Sequence, residues 1–137
     1  MPAGNEAPRI YPTFRYRNAP AMIDWLVGVL GFTVNVRFGE GDRVDHAQLS
    51  FGFSMIMLGS VRDDAYGAMV GGPGESDGKS TYVAVDDPDA LFARVESSGA
   101  TILQGLTDRD YGSREFICRD PEGNVWCFGT YWPKAGE

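Results

Sequence analysis

The chain of 137 residues has little histidine, little cysteine and no long apolar run. With His46 as its one histidine, it cannot readily supply the Ser-His-Asp set of a hydrolase. No run approaches the ~18 apolar residues of a membrane span. The first ten residues lack the basic and then apolar pattern of a secretory signal. These absences predict a cytoplasmic protein without a membrane partner.

Basic residues are also scarce, since 12 Lys and Arg stand against 19 Asp and Glu, giving a formal charge of −7. Nucleic-acid binding needs clustered basic side chains that contact phosphates, so this balance argues against a nucleic-acid partner.

The two cysteines, Cys118 and Cys127, lie in one predicted hairpin. If Cys118 pairs with Val125 and Phe116 with Cys127, both sulfur atoms lie diagonally on one face, roughly 7 Å apart. That spacing disfavours a disulfide and, with the predicted location, favours reduced thiols.

What the sequence does contain is a repeat of strand, helix and three strands. Each helix has a proline near its start and a glycine at its end, Pro20 to Gly31 and then Pro88 to Gly99, at the same spacing. Strands are predicted by alternation at 10–17, 32–38, 44–51 and 53–58, and again at 80–87, 100–106, 113–119 and 124–132. The fold class is therefore α+β, with two βαβββ modules. The predicted segments are a flexible tail (1–8), a first module (9–59), a Gly-rich linker or flap (60–79), a second module (80–133) and a short tail (134–137).

Three motifs carry a resemblance to a known family: VGVLGF at 27–32, DHAQLSFG at 45–52 and REFICRDPEGNVWCFGTYWP at 114–133. With the paired modules, they resemble the vicinal oxygen chelate superfamily, the glyoxalase/bleomycin-resistance/dioxygenase fold. The FGTYWP ending is similar to a PhnB-like, uncharacterised branch. The resemblance implies a half-open, barrel-like trough with helices on the convex face, and a homodimer in many members. The DPEGN turn itself is interpreted as scaffold.

In metal-dependent members, four strands each supply one ligand, usually His or Gln, Glu, His and Glu. Carried over by resemblance, those positions hold Tyr11, Met57, Ser80 and Cys127. This set does not suit Ni, Zn, Fe or Mn, so we expect no metal and no other cofactor. Isomerase and extradiol dioxygenase activity are disfavoured. A metal-independent protein that binds a small molecule, as drug-sequestering relatives do, is favoured.

The side chains predicted to line the trough are apolar with a few polar groups, which is typical of small-molecule sites. An inward-facing cation is costly unless it is paired, so Arg15 and Arg114 should each meet a carboxylate. Residues 108–112 and the linker side chains Tyr66, Met69 and Val70 are candidate lids. The predicted ligand-binding set is Tyr11, Thr13, Arg15, His46, Gln48, Met55, Met57, Ser80, Tyr82, Arg114, Phe116 and Cys127, with Cys118 and Val125 on the same face.

Two alternatives stay open. In the first alternative, the protein is a lyase or isomerase that uses His46, Tyr11 or Arg114 for acid–base chemistry. In the second, it is an interaction module whose trough is filled by its own side chains. The identity of the ligand does not follow from the sequence.

Overall fold

The structure, a computed structural model, describes residues 7–73 and 78–135. The chain divides into two compact units, Met1–Pro73 and Gly74–Glu137. Parts of three predicted segments lie outside the described residues: 1–6 of the first tail, 74–77 of the linker and 136–137 of the last tail.

The first unit is a four-stranded mixed sheet with strand order β1-β4-β3-β2. β1 runs parallel to β4, and the other neighbours are antiparallel. Its elements in chain order are β1 (Thr13–Tyr16), α1 (Ala19–Trp25), a π-helical turn that continues α1 (Leu26–Leu30), β2 (Thr33–Glu40), β3 (Arg43–Phe51), β4 (Ser54–Ser60) and α2 (Ala65–Val70).

The second unit has the same topology, with strand order β5-β8-β7-β6 and a parallel β5–β8 pair. The fold is therefore α+β, with two βαβββ modules, as the repeat in the sequence predicts. The elements of this unit are β5 (Thr81–Ala84), α3 (Pro88–Ser97), β6 (Ile102–Asp108), β7 (Arg114–Arg119) and β8 (Val125–Gly129).

The starts of the two main helices are capped by side chains. Asn18 accepts a 3.2 Å hydrogen bond from the amide of Ala21, and Asp87 accepts one of 3.1 Å from Ala90. These bonds satisfy amides that have no partner inside the helix, and the following proline has no amide to satisfy. Both predicted helix starts are confirmed.

The ends of these helices depend on glycine. Gly31 and Gly99 adopt φ values of 90° and 82°, which are costly for residues with a side chain. Before Gly31, the last turn of the first helix widens over Leu26–Leu30, and the Gly31 amide donates to the carbonyl of Leu26. The sequence pattern did not predict this wider turn.

Each sheet has a helix face, which packs under its helix, and an open face on the other side. Fully burying a large apolar side chain stabilises a fold by about 1.5–3 kcal/mol. The helix face of each sheet is therefore what holds that sheet and its own helix together. Buried on the helix side of the first unit are Tyr16, Met22, Ile23, Leu26, Leu30, Ala47, Leu49, Ile56 and Leu58. In the second unit they are Leu91, Val95, Phe116, Cys118, Trp126 and Phe128.

The predicted linker is more structured than its composition suggests. A short helix, α2, begins after Asp64, whose side chain accepts a 2.7 Å hydrogen bond from the amide of Gly67. Residues 65–70 of the predicted Gly-rich linker or flap are therefore helical, which the sequence pattern did not predict. No helix in the described ranges is long and apolar enough to cross a membrane.

Candidate functional site

The open face of the first sheet brings together side chains from three strands. Thr13 of β1 is registered with Met57 of β4, and Met57 is registered with Gln48 of β3. One step along, Arg15 is registered with Gly59, which has no side chain to fill the space. The strands therefore line a shallow depression with one hydroxyl, one thioether and one guanidinium.

This depression is a cavity of about 210 Å³ in the first unit. It is lined by both polar and apolar groups, the mixture expected of a small ligand site. The lining residues are Thr13, Phe14, Arg15, Asp45, His46, Met57, Leu58, Gly59, Arg62 and Tyr66.

Arg15 is one of the charged groups that line the cavity, and its side chain is only 11% exposed. It donates to both carboxylate oxygens of Asp64 at 3.3 Å, so its predicted pairing with a carboxylate is confirmed. The ring of Tyr66 covers the guanidinium at 4.8 Å from its centroid, a cation–π contact. The hydrogen bond from Arg15 lowers the pKa of Asp64, which keeps this carboxylate charged at neutral pH.

A second guanidinium, that of Arg62, also lines the cavity. It is 3.6 Å from Asp64 and donates to the backbone carbonyls of Val44 and Asp45 at 3.2 and 3.3 Å. The Asp45 carboxylate is itself bound by Arg43 at 2.7 Å. Arg15 and Arg62 therefore share the single carboxylate of Asp64, so these three side chains together carry one net positive charge.

The open face of the second sheet carries Tyr82 of β5, Cys127 of β8 and Ile117 of β7 in one cross-strand row. The Tyr82 hydroxyl donates a 2.7 Å hydrogen bond to the carbonyl of Tyr131. Burial raises the pKa of Tyr82, so the phenol stays protonated. This row is less polar than the row in the first unit.

Glu115 is a buried carboxylate on this same face, with 5% exposure. It accepts hydrogen bonds from Arg109 at 3.3 Å and from the Tyr111 hydroxyl at 2.9 Å, and Arg109 also donates to Gln104. The bond to Glu115 raises the pKa of Tyr111. Because these groups satisfy one another, we interpret the network as support for the open face and for the segment 109–112.

The predicted register of the last hairpin is wrong by one residue. Cys118 is registered with Trp126, and Phe116 with Phe128, so both lie on the helix face at 0% exposure. Phe116 stacks on Phe128 with ring centroids 5.1 Å apart. A shift of one residue moves every side chain of a strand to the other face, which removes Phe116 and Cys118 from the ligand-binding set.

The same shift removes Arg114. Its guanidinium pairs with Asp89 near the start of α3 at 2.7 Å and with Asp108 at 3.0 Å. The predicted pairing with carboxylates is confirmed, but the predicted position on the trough side is wrong. The pKa of Arg114 is raised by these hydrogen bonds, and that of Asp89 is lowered in return.

Glu115 is absent from the predicted set, because the predicted register places Phe116, and not Glu115, on the open face. A signal for the correct register is present in the sequence REFICR. One face of this strand carries Glu115, Ile117 and Arg119, and the other carries Arg114, Phe116 and Cys118, so the first face has two charged residues and the second has one.

The two thiols are both free and lie on opposite faces of the last hairpin. Cys127 is registered with Ile117, the neighbour of Cys118, and successive residues of a strand point to opposite faces. Burial raises the pKa of Cys118 to about 12. Burial, and then the charge of Glu115, raise the pKa of Cys127 against the opposing effect of Arg109. Neither thiol is an activated nucleophile at neutral pH.

Of the predicted metal positions, Met57 and Cys127 occupy equivalent places in the two sheets. Met57 is registered with Thr13 and not with Tyr11, and Cys127 is registered with Tyr82 and not with Ser80. A thioether, a protonated thiol and two neutral hydroxyls do not fit Zn, Ni, Fe or Mn, which prefer imidazole, carboxylate or thiolate. Within residues 7–73 and 78–135, no three His, Cys, Asp or Glu side chains are grouped as metal ligands.

The remaining predicted residues are dispersed. Tyr11 precedes β1 and donates its hydroxyl to the carbonyl of Pro8, while Ser80 is exposed ahead of β5. Met55, registered with Ser50, lies further along the open face of the first sheet. The residues brought together at the cavity are thus Thr13, Arg15, His46 and Met57, joined by Arg62 and Tyr66.

The sequence profile of the Glyoxalase/Bleomycin resistance protein/Dioxygenase superfamily matches residues 11–128. The chain belongs to this superfamily. Because most of both modules lies within the matched range, the family assignment made from the motifs is confirmed at this level.

The chain is also similar to individual proteins and solved structures. An uncharacterized protein of Mycobacterium bovis is 27% identical over 128 residues, covering 91% of this chain and 84% of its own. The crystal structure of TioX from Micromonospora sp. ML1 has a TM-score of 0.73 and 29% identity, covering 90% of this chain and all of TioX. A glyoxalase/bleomycin resistance protein from Streptomyces sp. CB03234 has a TM-score of 0.64 and 20% identity, covering 85% and 94%. The last of these shows the fold alone.

Proposed function

We propose that this protein binds a small molecule on the open face of its sheets without using a metal ion. The observation that carries the proposal is the cavity of about 210 Å³ in the first unit, where Arg15, His46 and Met57 converge. A cavity of this size accommodates a fragment-sized ligand or part of a larger one. Met57 supplies an adaptable apolar surface, and the polar groups fix orientation.

The residues at the family's metal positions support the part of this proposal that concerns metal. Met57 and Cys127 stand where carboxylate or imidazole ligands are needed, and the raised pKa of Cys127 disfavours the thiolate form that binds metals. We therefore propose a binding and sequestering role, for a drug or a metabolite, in place of enediolate or dioxygen chemistry.

The name of the Streptomyces relative, a glyoxalase/bleomycin resistance protein, is consistent with such a role. The proposal extends to a homodimer of the PhnB-like branch, based on the FGTYWP ending, and to a cytoplasmic location. The net charge of −7 supports a partner other than nucleic acid or an anionic membrane surface.

Native mass spectrometry of the protein as purified, paired with elemental analysis, tests the proposal. We expect the mass of a dimer and metal far below one ion per chain. We also expect either a retained organic ligand or a ligand-free protein that takes up small molecules when they are added. One equivalent of Zn, Ni, Fe or Mn per chain would overturn the hypothesis that binding is independent of metal.

A second candidate function is acid–base catalysis by His46. The observation in its favour is that His46 lines the same cavity as Arg15, so a bound substrate would lie near both a titratable ring and a cation. Substrate turnover that survives a chelator but is lost in His46→Ala would establish an enzyme. Unchanged turnover in that variant would exclude this role for His46.

A further inference from the structure

The groups that cover Arg15 come from one short segment, residues 61–70, which follows β4. Asp64 supplies the carboxylate and Tyr66 supplies the ring. Helix α2 in this segment is six residues long, and none of its residues is buried. Met69 is 79% exposed. Because so short a helix has little stability of its own, polar contacts to the sheet hold the segment in place.

Those polar contacts are long for an ion pair. The Arg15–Asp64 distances are both 3.3 Å, and the Arg62–Asp64 distance is 3.6 Å, whereas well-formed charge-assisted bonds are about 2.7–2.9 Å. The hydroxyl of Tyr66 adds one contact of 3.1 Å, to Thr13. Asp64 also accepts a 2.7 Å bond from the Gly67 amide, which caps α2, so its weak contacts are those with the two guanidinium groups.

The cavity beside this carboxylate is both cationic and partly apolar. Arg15 and Arg62 carry two positive charges against the one negative charge of Asp64, while Asp45 is neutralised by Arg43. Met57 and the Tyr66 ring offer apolar surface within the same lining. A molecule with one carboxylate and a ring-sized apolar body matches both features.

We propose that the cavity binds small organic carboxylates with an aromatic body, and that the ligand's carboxylate takes the place of Asp64 on Arg15. The inference deepens the proposed function and rests on it. Asp64 acts as an internal competitor, which satisfies Arg15 until a ligand arrives. Its displacement releases the contacts that hold residues 61–70 on the sheet.

The test uses benzoate and its neutral isostere benzamide as probes, with binding followed by NMR titration of the ¹⁵N-labelled full chain. We expect benzoate to shift the amide signals of Gly59 and Gly67 and to bind about tenfold more tightly than benzamide, which corresponds to about 1.4 kcal/mol. Arg15→Gln should weaken benzoate binding about tenfold or more, since the charge-assisted pair is lost.

The variant Asp64→Asn distinguishes competition from a simple structural role. Asparagine still caps α2, because it is as good an N-cap as aspartate. Without the competing carboxylate, we expect benzoate affinity to rise about fivefold to tenfold, with benzamide affinity unchanged. The matched controls, Arg37→Gln on β2 and Asp24→Asn on α1, change exposed charges in the same unit and should leave both affinities as they are.

The outcomes separate this inference from the proposed function. Benzamide binding as tightly as benzoate, or benzoate affinity unchanged in folded Arg15→Gln, would overturn the carboxylate inference and leave small-molecule binding intact. A fall in benzoate affinity in Asp64→Asn would overturn the competitor role. Failure of both probes to shift the cavity signals, together with no retained ligand in native mass spectra, would overturn both proposals.

Discussion

The indole N–H of Trp126 donates a 3.0 Å hydrogen bond to Oδ2 of Asp120, across the turn that joins β7 and β8. The other carboxylate oxygen accepts 3.0 Å bonds from the backbone amides of Glu122 and Asn124. Asp120 is 4% exposed and Trp126 is fully buried. One carboxylate thus fixes both the shape of the turn and the position of the largest core side chain.

We expect Asp120→Asn to lower the free energy of unfolding by about 1.5–3 kcal/mol, the range for hydrogen bonds to charged groups. An amide nitrogen in place of one oxygen would face a backbone or indole N–H, which leaves a buried donor unsatisfied. Urea denaturation followed by tryptophan fluorescence measures the effect. Glu96→Gln on the exposed side of α3 is the control, and an equal effect of both variants would refute the structural role of Asp120.

The fold was predictable because the signals that start and end its helices are local. Asn18 and Asp87 mark helix starts, and Gly31 and Gly99 mark helix ends, through contacts within a few residues. Such local rules need no knowledge of tertiary contacts. The repeat of these marks was sufficient to predict two βαβββ modules.

The site was only partly predictable because its geometry depends on register. The turn closes with the Asp120 amide bonded to the carbonyl of Asn124, and this pairing sets Cys118 opposite Trp126. The predicted register differed from this one by one residue. It therefore placed Phe116 on the open face, where the structure has Glu115. The contact of Asp64 with Arg15 joins residues 49 positions apart, and no local pattern reveals it.

Gly129 of β8 lies close to three side chains of the second unit, those of Glu115, Tyr82 and Ser113. A Cβ there would lie 2.6 Å from Cγ of Glu115, 2.7 Å from the Tyr82 hydroxyl and 3.0 Å from Oγ of Ser113. We expect Gly129→Ala to lower the free energy of unfolding by about 1–3 kcal/mol, as overpacking does.

Gly105→Ala is the matched control, because a Cβ at Gly105 meets nothing within 4 Å. Its effect should stay within about 0.5 kcal/mol. Thermal unfolding of both variants decides the matter. If Gly129→Ala is as stable as Gly105→Ala, the cluster of Glu115, Tyr82 and Ser113 is not packed as described.

Arg114 lies on the helix side with Asp89 and Asp108, so it should have no part in ligand binding. We expect Arg114→Gln to leave benzoate affinity unchanged and to alter stability little, since its carboxylate partners are exposed. The same NMR titration used for Arg15→Gln measures the affinity. Loss of binding in a folded Arg114→Gln protein would place this residue at the site after all.

The Cys118 thiol gives the stability a dependence on alkaline pH. Burial raises its pKa from 9.0 to about 12, so the folded state keeps the proton over a range in which the unfolded chain loses it. A pKa raised on folding contributes stability that is fully present below the unfolded pKa and is lost as pH rises through the folded pKa. Between pH 9 and the onset of general unfolding, the wild-type protein should therefore lose about 1.4 kcal/mol of stability per pH unit from this group.

Cys118→Ala removes the thiol, so the stability difference between the two proteins should shrink or reverse above pH 9. Urea denaturation from pH 7 to 10.5 measures this difference. A difference that stays constant over that range would mean that the thiol is not buried in the core.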